Sequence, residues 1–224
     1  MKKDFRSNVI YRIIMYILGL FVLAMGVAFS INSKLGTSPV SSLPYVVSTL
    51  TSTNMSLWVP IIFGFYIVLQ IVILRKNFKW INLAQIIFAF VFGYFTDFTQ
   101  MILGDFTIAD YMGSSPVLVY IGQLLMLIIS IVLIGIGVSM YINAKLLPMP
   151  MEGLSLTIAQ VTGVKFSTMK TIVDTVVVVI GIIISFIVAG QLVGIREGTV
   201  IAAVCVGFMV RFVNPLVKKL YAGE

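Results

Sequence analysis

Five stretches of the chain contain no charged residue: 13–33, 35–74, 80–96, 111–144 and 175–195. Several exceed the roughly 20 residues that a helix needs to cross the hydrocarbon layer of a bilayer. They are apolar throughout, whereas a barrel strand alternates apolar and polar over about ten residues. The chain therefore reads as an all-α polytopic membrane protein. Only 10% of the residues are charged and the mean hydropathy is +1.12. A water-exposed surface takes about 25% charged residues. The first apolar segment ends in no small-residue cleavage site, so it reads as a span rather than a removable signal.

The net charge of +7 does not point to nucleic acid, because the basic residues cluster at the ends of the apolar runs. Six spans are expected, near 12–32, 57–74, 80–103, 116–142, 169–190 and 197–216. Lys2, Lys3, Arg6 and Arg12 precede the first; Arg75, Lys76 and Lys79 follow the second; Lys218 and Lys219 follow the sixth. The intervening segments 33–56, 104–115 and 191–197 hold only two basic residues, Lys34 and Arg196. The positive-inside rule then places both termini in the cytoplasm of a multi-pass protein of the bacterial cell membrane. Reading the segments after Lys34 and Lys145 as full spans would invert that rule.

A phrase in the chain occurs twice. Residues 26–39 read GVAFSINSKLGTSP and residues 137–150 read GVSMYINAKLLPMP, 111 positions apart and identical at seven of fourteen places. The phrase marks a duplication: a first membrane repeat over 1–103, an external linker over 104–115 and a second membrane repeat over 116–224. Three spans per repeat is an odd number, so the second repeat enters the membrane from the opposite side. Transporters commonly carry such inverted repeats, with short or broken helices and a site near the midplane. After each phrase a proline opens a short helix, 39–50 and from Pro150 to near Gly163. Each is expected to be re-entrant or interfacial.

The candidate substrate-binding residues cluster at these breaks. Asn32 and Asn143 can satisfy freed backbone groups, while Lys34 and Lys145 can snorkel or hold an anion. Ordinary boundary roles would suffice for either copy alone. Ser38 and Glu152 stand at the starts of the short helices, where free N–H groups favour negative charge. Glu152 can cap its own helix, pair with Lys145 or carry a coupling proton. Asp97, Asp174 and Arg211 are candidate coupling or buried charges, because a charge inside a span needs a partner. Asp97 with Arg211 is one pairing, and Asp174 or Glu152 could equally serve Arg211; Asp174 also lies four residues after Lys170, at ion-pair spacing. There is no histidine, no nucleophile elbow, no Walker loop and no metal-ligand cluster, so no enzyme activity, metal or cofactor is expected.

The phrase GVAFSINSKLGTSPVSSLPYVVS over 26–48 resembles a signature of the YczE/YyaS/YitT-like bacterial integral membrane proteins. Lys34, Leu35, Gly36 and Pro39 carry that resemblance, with Glu197-Gly198-Thr199 and Gly207 resembling the family's last span. Arg211 stands near a position where the family often has an acid. The resemblance implies five or six spans and a transporter-like role, without a substrate. The leading expectation is a small secondary transporter or exporter of a small, anionic or carboxylate-bearing solute, working by alternating access. A substrate-binding subunit of a larger energy-coupled transporter and a non-transporting scaffold are the alternatives. The expected partners are a small solute and the bilayer, with a homodimer left open and nucleic acid excluded.

Overall fold

The computed structural model describes residues 9–112 and 115–222, with side chains described as far as Lys218. The basic residues Lys2, Lys3 and Arg6, and positions 113–114 of the linker, lie outside that range. Eight α-helices follow one another: α1 Val9–Asn32, α2 Pro39–Leu50, α3 Met55–Leu74, α4 Gln85–Leu103, α5 Pro116–Asn143, α6 Pro150–Thr162, α7 Phe166–Ala189 and α8 Glu197–Ala222. Six are long and apolar enough to cross a membrane; α2 and α6 are not. Proline stands at the first helical turn of α2, α5 and α6, where its missing N–H costs nothing.

The 111-residue offset recurs in the elements. It relates the ends of α1 and α5 (Asn32, Asn143), the starts of α2 and α6 (Pro39, Pro150) and the starts of α3 and α7 (Met55, Phe166). α1 runs antiparallel to α5: Arg12, near the start of α1, donates to the carbonyls of Ala144 and Lys145, just past the end of α5. The repeated glycines make this crossing close. A Cβ on Gly137 would lie 2.6 Å from the Leu23 nitrogen, and one on Gly26 would lie 2.8 Å from the Ile134 nitrogen. Leu23 and Ile134 are themselves 111 apart, so the two contacts are the same contact seen from each repeat. Small residues at such crossings let two backbones approach in a bilayer.

The short helices trade places between the repeats. α2 packs on α7, and α6 packs on α3. These pairings, with α1 on α5, are those that an inverted repeat produces. Both short helices are buried where they start and exposed where they end: Pro39 to Pro44 except Val40, and Pro150 to Ser155, are buried, whereas Thr49 and Gln160 to Thr162 are exposed.

One pairing breaks the symmetry. α3 packs along α4, but α7 and α8 have no comparable contact. Gly93 on α4 lies against Ser56 and Val59 of α3, whereas its counterpart Gly207 on α8 faces open space. α8 keeps its packing on α5, as α4 packs on α1, and there a Cβ on Gly135 would lie 2.4 Å from Met209 Cγ.

Candidate functional site

We call the end of the bundle where α1 starts the near face and the opposite end the far face. Each copy of the phrase forms the same helix ending, α1 at the far face and α5 at the near face. Ser33 N donates to Phe29 O and Lys34 N to Ile31 O; Ala144 N donates to Met140 O and Lys145 N to Ile142 O. Lys34 (φ 58°) and Lys145 (φ 51°) both adopt the left-handed conformation that glycine usually supplies at this position. An arginine from a distant segment grips each lysine carbonyl: Arg196 holds Lys34 at 2.9 Å, and Arg12 holds Lys145. The two asparagines tie spans together within each half. Asn32 donates to the carbonyls of Gly104 and Phe106, and Asn143 donates to Asn214 Oδ1 at 2.6 Å.

Beside each ending lies a cavity. The far cavity, about 460 Å³, is lined by Asn32 and Lys34, by Tyr45 and Thr49 of α2, and by Asp97 and Asp105. Burial pushes the Tyr45 phenol up from its usual range and a hydrogen bond with Thr49 pulls it partly back. It stays a neutral hydrogen-bonding group. The near cavity, about 320 Å³, is lined by Tyr141, Lys145 and Glu152 within an otherwise apolar wall that includes Leu146, Leu156 and Phe166. Lys34 and Lys145, equivalent by repeat, are both exposed and each borders one cavity.

Other expectations are corrected. Asp97 does not pair with Arg211. Its two carboxylate oxygens accept the N–H groups of Met55 and Ser56, each at 2.9 Å, and so cap the start of α3 from another helix. Arg211 is exposed, forms no ion pair among the described residues and lies 6.0 Å from the Phe208 ring centroid. Neither Asp174 nor Glu152 reaches it, because both meet Lys170. Ser38 is at the start of α2, but its hydroxyl bonds Ser41 Oγ at 2.9 Å instead of capping a backbone N–H. It is buried and borders neither cavity.

Glu152 sits in a polar cluster under the near cavity. Its Oε1 accepts from the Tyr141 hydroxyl at 3.0 Å and lies 3.7 Å from Lys170 Nζ. Lys170 is closer to Asp174, at 3.1 Å. The Tyr16 ring stands edge-on to Tyr141 at 5.8 Å, and its hydroxyl donates to Leu147 O. On the adjoining side Gln70 Nε2 donates to Pro150 O and to Gln85 Oε1. Tyr141, Tyr16 and Gln70 were not expected from sequence. One signal was there: the copies differ at Ser30/Tyr141 and Ser41/Glu152, and these substitutions convert one kind of pocket into another. In the first repeat the equivalent positions, with Val59 and Phe63 opposite Lys170 and Asp174, hold hydroxyls and apolar groups. There the buried Thr37, Ser38 and Ser41 hydroxyls bond through Ser41, while buried Ser30, Ser33 and Ser42 donate to the carbonyls of Gly36, Ser30 and Pro39.

Six helices able to span a bilayer and two short helices buried at their starts define a multi-pass membrane protein, with helix contacts consistent with an inverted repeat. By sequence the chain belongs to a family of unknown function, DUF6198, whose model matches residues 10–215. It is 26% identical over 211 residues to the uncharacterized membrane protein YczE of Bacillus subtilis strain 168, covering 94% of this chain and 88% of that protein. It is 25% identical over 209 residues to the uncharacterized protein YyaS of the same organism, covering 93% of this chain and 95% of the other. No solved structure matches the chain significantly.

Proposed function

We propose that this protein is a small secondary transporter that moves a small carboxylate-bearing solute across the bacterial plasma membrane by alternating access. The observation that carries the reading is the pair of cavities at opposite faces, each bordered by one copy of the duplicated lysine. A site built twice with opposite orientation can be offered first to one side and then to the other when the halves rock against each other. Each cavity is lined by a lysine and by at least one carboxylate, Lys34, Asp97 and Asp105 in one, Lys145 and Glu152 in the other. A solute carrying a carboxylate and a hydrogen-bond donor complements both. The short helices, buried at their starts, act as the re-entrant elements of such a mechanism.

The near face is the cytoplasmic one in this reading. It carries Arg12, Arg75, Lys76, Lys79, Lys145 and Lys165, while the far face holds Lys34 and Arg196 with Asp105, Asp110 and Glu197. A second reading, a subunit of a larger membrane assembly, draws on α8, whose outer residues Val200, Val204, Phe208 and Phe212 are exposed along one stripe.

The test is uptake and efflux screening in sealed vesicles, with carboxylate-bearing solutes first. The wild type is expected to move at least one of them, and Lys34→Ala with Lys145→Ala to abolish the flux. Unchanged flux in the doubly substituted protein would refute the lysine site.

A further inference from the structure

The cluster beneath the near cavity contains two carboxylates and one ammonium. Lys170 Nζ lies 3.1 Å from Asp174, hydrogen-bonded to it, and 3.7 Å from Glu152 without a hydrogen bond. One ammonium is therefore shared by two carboxylates, and only Asp174 is hydrogen-bonded to it. Glu152 is 8% exposed. Its Oε1 has the Tyr141 hydroxyl, but Oε2 is shut off from solvent and has no hydrogen-bond partner. An ionised oxygen in that position would have lost its water and gained no donor, which is the most costly arrangement for a buried carboxylate. A hydrogen on Oε2 removes the charge and most of the cost.

Among the described residues, Lys170 is the one ammonium that the elements around α6 bring to Glu152. α5 supplies the neutral Tyr141, α7 supplies Lys170 and Asp174, α1 supplies Tyr16, and α3 supplies Tyr66 and Gln70. α4 supplies only the Gln85 amide, which is bonded to Gln70. Lys145 stands on the cavity wall, and Arg12 is engaged with the carbonyls of Ala144 and Lys145. None of these brings a second positive charge to Oε2.

We propose that Glu152 is a proton-binding site, loaded and unloaded through the near cavity, with Asp174–Lys170 as a fixed ion pair and Tyr141 as the hydrogen-bond donor that orients the carboxyl. The cavity is what makes this proton exchangeable: Glu152 and Tyr141 both border it, so water reaches the carboxyl group on a small movement of α6. Binding is a simple acid–base step in which water in the cavity delivers or accepts the proton. The first repeat has Ser41 at the equivalent position, so the protein holds one such site, in the near half only. The proton-binding site stands on this cluster alone; naming the proton a coupling ion rests on the transport reading above.

The experiment is reaction with dicyclohexylcarbodiimide, an apolar reagent that adds to protonated carboxyls within membranes. The full-length protein is placed in nanodiscs, labelled at several pH values and mapped by peptide mass spectrometry. The adduct is expected on Glu152 and not on the ion-paired Asp174, and labelling at about pH 6 is expected to fall at about pH 9. Lys170→Met, which removes the one ammonium, is expected to extend the labelling of the pair to higher pH. An unlabelled Glu152 at every pH overturns the proposal. So does labelling that sodium chloride suppresses at constant pH while potassium chloride does not, because the surplus charge would then hold a sodium ion. Glu152→Gln is expected to melt no lower than the wild type, since the amide matches the neutral acid and still accepts from Tyr141; should that variant fail to fold, the wild-type adduct map decides alone. Flux screening is run separately. A pH-dependent Glu152 adduct without flux keeps the proton site and removes transport, and flux without the adduct does the reverse.

Discussion

At the residue scale, the two lysines hold a conformation that costs an L-residue about 1 kcal/mol or more. The backbone there needs only a left-handed turn, and glycine would supply it without strain. The proposed transport site gives each ammonium group a role that glycine could not fill. Lys34→Gly and Lys145→Gly are expected to raise thermal stability in detergent by about 0.5–1 kcal/mol each while removing solute flux. Loss of stability in both variants would mean that the side chains serve the fold. The lysines and Glu152 were legible because the phrase repeats and charges are scarce. Tyr141, Tyr16 and Gln70 were not, because nothing in a linear sequence places the start of α6 against α1, α3 and α7. Asp97 was legible as a charge and misread in its partner. It lies 41 and 42 positions from the N–H groups it binds, and capping across helices leaves no local pattern.

At the scale of elements, two contacts decide where helices begin and cross. Asp97 satisfies two N–H groups at the start of α3 that no residue of α3's own N-cap reaches, since Asn54 makes no side-chain cap. Asp97→Ala is expected to destabilise by about 1–2 kcal/mol, seen as a lower melting temperature; Asp97→Asn, which keeps one acceptor, is expected to fall between. The α1–α5 crossing leaves no room for a methyl group. Gly137→Ala is expected to cost about 1–3 kcal/mol, measured the same way, and Gly163→Ala, with open space around it and φ of 72°, is expected to lose only the smaller backbone strain. The short helices were readable to within a residue because proline marks each start. The missing α7–α8 contact was not readable: Gly93 and Gly207 look equivalent in sequence, and only packing tells them apart.

At the scale of the molecule, charge and topology make a joint prediction. Asn77→Cys, after α3, is expected to be shielded from an impermeant maleimide added outside whole cells, and Gln191→Cys, after α7, to react with it. Cys205 is the single native cysteine and serves as the background control. Reversed labelling would overturn the orientation. The exchange of short helices between halves has a further consequence, for biogenesis. While the first half alone is in the membrane, α2 lacks the α7 surface that covers it and α3 lacks α6. The nascent chain is left with polar serines and an uncovered groove until its second half is threaded, so folding is expected to finish only after insertion and an interrupted chain is expected to be degraded. Two genes divided between residues 112 and 115 should therefore yield stable protein only when both are expressed together.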